Sequence, residues 1–130
     1  MRSAPSKFPK TLLRGCNENL IEFGDIPQLA RLFGALAEPT RLKLLLAINA
    51  AGRLGATECV KASGLSQGRT SVHLSCLAGC GLIAVERVGR RKYYRIADPA
   101  IPDILQLARL HVQAATTTIN ECQSAQPTAS

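Results

Sequence analysis

No stretch of this sequence is long and apolar enough to span a bilayer. The best run, Leu42 to Ala51, is interrupted by Lys43 and Asn49. The first 15 residues are basic but contain no apolar h-region, so no secretory signal is expected. A cytoplasmic location follows as the expectation, with no membrane partner. Catalytic constellations are absent as well. There is no nucleophile–base pair, no Gly-rich phosphate loop and no pair of carboxylates in a plausible cleft. An enzyme is therefore not expected, nor a small-molecule substrate or an organic cofactor. No repeat stands out, and only the Ser/Thr/Gln/Ala-rich end after Glu121 has the composition of a disordered tail.

Acidic residues are scarce. Nine Asp and Glu face sixteen Lys and Arg, a formal net charge of +7, which suits a polyanion such as DNA. At 130 residues the chain is read as one domain, residues 25–118, between a flexible basic arm (1–24) and a tail (119–130). A core that small is thin, so a homodimer burying more apolar surface is expected. Five cysteines in a reducing compartment read as ligands, sensors or core fillers rather than as disulfides.

The organising stretch runs from Ser66 to Gly81. It reads as one helix capped by Ser66 and ended by Gly81. A short helix, Glu58 to Ser63 with Thr57 as its cap, precedes it, and a turn with Gly64 and Leu65 joins the two. That arrangement is a helix-turn-helix candidate. Gln67, Arg69, Ser71, Val72 and Ser75 would face base edges, while Thr70, Leu74 and Leu77 recur at core spacing. His73 beside that stripe is read as a packing histidine. Cys76 and Cys80 are spaced i,i+4, which places both sulfurs on one face. A helix that meets DNA at one end and carries thiols at the other is a candidate metal-responsive switch.

Upstream, Asn17 to Phe23 is expected to form a short helix ended by Gly24. Asp25, with Gln28, is expected to cap the next helix. Pro39 would start a third, with Leu42, Leu45, Leu46 and Ile48 on its buried face. Downstream, Leu82 to Val88 and Arg91 to Ile96 read as two strands around a Gly89-Arg90 turn. Arg87, Arg90, Arg91, Lys92 and Arg95 crowd this hairpin, where they could track phosphates. A last helix from about Ile101 to Thr118 is apolar on much of its surface and is read as a dimerisation element.

Several segments together resemble the ArsR/SmtB family of winged-helix metal-sensing repressors. They are Ala35-Leu36-Ala37-Glu38-Pro39-Thr40-Arg41-Leu42, His73-Leu74-Ser75-Cys76-Leu77, Gly81-Leu82 and Gly89-Arg90-Arg91-Lys92-Tyr93-Tyr94. One departure is Glu38, where the family often has Asp, which would leave that helix start looser. The resemblance implies a mainly α winged helix-turn-helix with a β-hairpin wing. It also implies a homodimer joined through its N- and C-terminal helices and bound to an inverted-repeat operator. Within the family, His-Leu-Ser-Cys-Leu-Ala-Gly-Cys-Gly-Leu looks most like the CmtR-type cadmium- and lead-sensing branch. That likeness implies that Cys76 and Cys80 bind the ion with Cys122, similar in placement to a tail ligand contributed across the dimer. Cys16 is a further candidate ligand. Two other metal sites of the family do not match: Gly55-Ala56-Thr57-Glu58 has no cysteine pair, and the residues after Asp98 and His111 supply no zinc ligands.

Soft thiolates select soft ions, here Cd(II), Pb(II) or Hg(II). The expected function is a repressor released from DNA by such an ion. Three alternatives stand beside it: a redox- or sulfide-responsive repressor of the same fold, an arsenite-responsive one, and a metal buffer that does not read DNA. The Arg-rich hairpin argues against the last. Cys59, beside Val60, is read as core.

Overall fold

The computed structural model describes residues 21–116. Phe23–Asp25 forms one 3-10 turn, followed directly by helix α1, Ile26–Leu36. The helix expected over Asn17 to Phe23 lies mostly outside the described residues, and Gly24 sits inside the turn rather than ending a helix. Asp25 precedes α1, but its carboxylate accepts from the Glu22 N–H at 2.9 Å and makes no cap bond into α1. Pro27 is the reason: it removes one of the donors an N-cap carboxylate would take.

Helix α2, Pro39–Ala51, begins where the proline predicts. Glu38 caps it after all, accepting from the Arg41 N–H at 2.9 Å. Its buried face is Leu44, Leu45 and Ile48, each fully enclosed, whereas Leu46 points to solvent. The expected face was therefore turned from the real one. Leu42 to Leu46 holds four leucines in five positions, and such a run cannot specify its own inner side.

Gly52 turns the chain at φ 84, and Arg53–Gly55 forms a short strand, β1, that was not foreseen. Helix α3, Ala56–Ser63, then follows Gly55 as its N-cap, two positions ahead of the expected Thr57 cap. Gly64 ends it in the left-handed conformation that glycine adopts without a Cβ penalty. Helix α4, Gln67–Gly79, is capped by the Ser66 hydroxyl, which accepts from the Arg69 N–H at 3.2 Å.

A buried hydroxyl pair locks this turn. The Leu65 N–H donates to Ser63 Oγ, the Ser63 and Thr70 hydroxyls lie 2.7 Å apart, and Thr70 donates to the Ser66 carbonyl. Leaving any of these groups unpaired would cost about 1–3 kcal/mol.

Strands β2, Ile83–Val88, and β3, Arg91–Ile96, pair from Ile83↔Ile96 to Val88↔Arg91. The two-residue link uses Gly89 at φ 63, as tight hairpins require. β1 adds to the other side of β3 with Gly55↔Tyr93, giving an antiparallel sheet in the order β1-β3-β2. Helix α5, Ala100–Ala114, follows the hairpin, and the end expected at Thr118 lies outside the described residues. No helix among the described residues is long and apolar enough to cross a membrane.

The core is made by Leu44, Leu45 and Ile48 of α2, Cys59 of α3, Leu74 and Leu77 of α4, and Leu82, Ile83 and Tyr94 around the sheet. The terminal helices contribute only Ala35 and Ile101 as buried residues.

Candidate nucleic-acid interface and thiol site

The residues expected to meet DNA all lie on α4 or the hairpin. Gln67, Arg69, Ser71, Val72 and Ser75 are exposed along α4, and Val72 is 68% exposed although apolar. Arg87, Arg90 and Arg91 are exposed on the hairpin, and Lys92 is half-buried. The fold brings part of this set together. Gln67 and Ser71 share one groove of about 1060 Å³ with Arg90, Arg91 and Lys92. Arg69, Val72, Ser75 and Arg87 do not line it.

The groove also has a wall that sequence reasoning missed. Arg53 enters it from β1, its guanidinium 4.1 Å above the Tyr93 ring and 3.4 Å from the Glu86 carboxylate. Lys61 of α3 adds another cation. No local signal marks Arg53 for this role, because it depends on β1 pairing with a strand forty residues away. An anionic backbone laid along the groove would meet cations from three elements.

At the other end of α4, Cys76 and Cys80 are half-buried against the core. Cys80 is the C-cap rather than a residue of the helix body, and its N–H still donates to the Cys76 carbonyl at 3.0 Å. The i,i+4 relation therefore survives the earlier helix end. Burial pushes the Cys80 thiol above its ordinary range, and the neighbouring Cys76 thiol, hydrogen-bonded to it, pushes the same way. Arg31 of α1 and Arg41 of α2 oppose the shift. Cys59, by contrast, is fully enclosed, and burial raises it to about 11. It is an inert core thiol.

The donor types suit a soft ion: two sulfurs one helical turn apart on one face. Among the described residues no group of three or more His, Cys, Asp or Glu is placed to hold an ion. Cys16 and Cys122, the remaining candidates, lie outside the described residues.

Beside the thiols, a polar knot joins three helices. Arg41 donates from Nε to the Ala35 carbonyl at 2.8 Å and from Nη2 to the Gly34 carbonyl at 3.3 Å. Its Nη1 lies 3.4 Å from His73 Nδ1. Arginine only donates, so this His73 nitrogen accepts. Glu38 Oε1 is 3.8 Å from the same nitrogen, and the hydrogen bond from the Arg41 amide holds the Glu38 carboxyl below its ordinary value. His73 is a packing residue, as its position beside the core stripe suggested.

Residues 38–85 match the family model described as "Bacterial regulatory protein, arsR family". A probable mercury resistance operon repressor from Streptomyces lividans is 51% identical over 80 residues, covering 62% of this chain and 63% of that protein. The HTH-type transcriptional regulator CmtR of Mycobacterium tuberculosis is 43% identical over 70 residues, covering 54% and 58%. The chain thus spans about three-fifths of the length of these curated relatives. Among solved structures, the AntR antimony-specific transcriptional repressor superposes with a TM-score of 0.64 at 31% identity, covering 88% of this chain and 99% of that one. Recognition helix, basic hairpin and these likenesses agree: the chain is a winged helix-turn-helix protein and belongs to the ArsR family of bacterial regulatory proteins.

Proposed function

We propose that this chain is a transcriptional repressor whose homodimer binds an inverted-repeat operator and lets go when a thiophilic ion is captured by Cys76 and Cys80. The observation that carries this reading is the division of labour on α4. Its N-terminal half faces the basic groove through Gln67 and Ser71, while its last turn and C-cap carry Cys76 and Cys80, four positions apart. Arg90, Arg91 and Lys92 bind phosphate, and the α4 side chains read bases. Cys122, with Cys16 as the other candidate, completes the ligand set.

Hg(II), Cd(II) and Pb(II) all fit thiolate donors. The name of the Streptomyces lividans relative favours Hg(II) among them. A bound ion changes DNA affinity only through its different fit to the DNA-bound and free shapes of the protein. A coupling of about 1–3 kcal/mol weakens operator binding about 5–150-fold.

A gel-shift titration on the DNA upstream of the gene tests this, with Hg(II), Cd(II), Pb(II), As(III) and Zn(II) added in turn. Release is expected with the thiophilic divalent ions and is lost in Cys76→Ser and Cys80→Ser, which still bind DNA. Release that survives both substitutions removes the ion from this helix. The second reading is an oxidative switch of the same fold, with Cys80 and Cys122 as its pair, since Cys76 and Cys80 on one continuous helix would bridge only with distortion. That reading requires release by peroxide without metal, reversed by a dithiol.

A further inference from the structure

We infer that Arg41 is the positioning residue through which an ion on Cys76 and Cys80 reaches the rest of the repressor. The inference rests on the repressor reading above and adds the route. Among the described residues, Arg41 is a side chain that hydrogen-bonds both to the end of α1 and to the body of α4. Two of its donors reach carbonyls at the C-terminus of α1: Ala35, in the last turn whose carbonyls lack intrahelical partners, and Gly34, which also accepts from the Ala37 N–H. A third meets His73, which lies one turn before Cys76 on the same side of α4. The guanidinium is planar and its donors diverge at fixed angles, so it cannot follow both helices if they shift against each other. Its charge is also felt at the Cys80 thiol.

An ion that draws Cys76 and Cys80 together, and toward a third sulfur, pulls on the last turn of α4. His73 moves with that turn, so either the Arg41–His73 contact breaks or α1 is carried along. α1 bears Ile26 and Phe33, 52% and 57% exposed, an apolar face that a second copy would cover. A change in the angle of α1 therefore alters the spacing of the two recognition helices in a dimer, which is what half-site geometry reads. The phosphate-binding hairpin need not change at all.

The experiment uses the full chain and Hg(II) as the probe ion. Ion uptake is followed by thiolate-to-metal charge-transfer absorption, and operator affinity by fluorescence anisotropy with and without the ion. Arg41→Lys keeps the charge but loses the fork. His73→Leu cuts the contact from the side of α4 and leaves the α1 clamp in place, so it serves if the Arg41 variant folds poorly. Both variants are expected to keep the absorption band and the ion-free operator affinity. Their ratio of ion-free to ion-bound affinity should fall toward one, against about 5–150 for the wild type. A wild-type ratio in a folded variant of either kind overturns the inference. So does loss of the absorption band, which would make the knot part of the ion site, or weakened ion-free binding, which would make it part of the reading surface. Cys76→Ser, run alongside, separates the two levels. If it also keeps release, the repressor reading fails with its ion site. If it loses release while Arg41→Lys and His73→Leu keep theirs, only the route through Arg41 fails.

Discussion

The segment from α2 to β3 and the two terminal helices are built by opposite rules. In the former, leucine, isoleucine and tyrosine side chains from three helices and a sheet enclose one another, and several are completely shielded from water. In the latter, large apolar groups stand in solvent: Ile26 and Phe33 on α1, Leu110 and Val112 on α5. The first region has a closed core, although Leu46, Val72, Val85 and Val88 stay exposed on its outer faces. The second buries only Ala35 and Ile101 among the described residues and leaves an apolar surface that the proposed homodimer would cover. The α2–β3 unit thus owes its shape to its own core, whereas the terminal helices are held to it by fewer buried side chains. In the proposed repressor, those softer contacts are where an effector ion would act at low cost.

The contrast can be broken by substitution. Leu77→Ala should cost about 2–5 kcal/mol in urea unfolding, since Leu77 is fully enclosed at the junction of α4 and the sheet. A much smaller loss would mean that this core is not packed as described.

Alkaline pH probes the same interior. Cys59, raised from 9.0 to about 11 by burial, favours the fold while it holds its proton. That contribution is complete below pH 9 and is lost as pH climbs through 11, about 2–3 kcal/mol in all. Tyr94, raised chiefly by burial and next by Cys59, loses stability in the same direction. Urea melts of wild type and Cys59→Val across this range should diverge, with the variant less sensitive.

Phe33→Asp addresses the other region. Placing a charge on an exposed apolar face should leave the helix content alone and raise the dimer dissociation constant roughly tenfold or more in sedimentation. An unchanged constant would sever α1 from the dimer contact. The smallest effect is expected from Arg53→Ala. Its exposed pair with Glu86 and its stacking on Tyr93 together hold less than about 1 kcal/mol in thermal melts.

Much of the winged helix was legible where the chemistry is local. Gly64 and Ser66 announce the turn before α4, and Gly89-Arg90 announces the hairpin, because positive φ and side-chain capping are properties of a few neighbouring residues. What failed depended on distant partners. β1 is three residues long and exists because β3 offers an edge, so no periodicity could reveal it. Leu44 rather than Leu46 faces inward for the same reason. In the candidate site, the i,i+4 thiols could be read directly. Arg53 in the groove and the Arg41–His73 contact could not, since each joins residues more than thirty positions apart.

Helix α4 is thirteen residues long, about 20 Å from end to end. Gln67 opens that span and Cys80 closes it. Under the proposed roles, substitutions that retune base preference would leave the thiol pair untouched, and the reverse would hold as well. A scaffold with two such specificities at opposite ends of one rod could acquire a new target site, or a new ion to answer, in separate evolutionary steps.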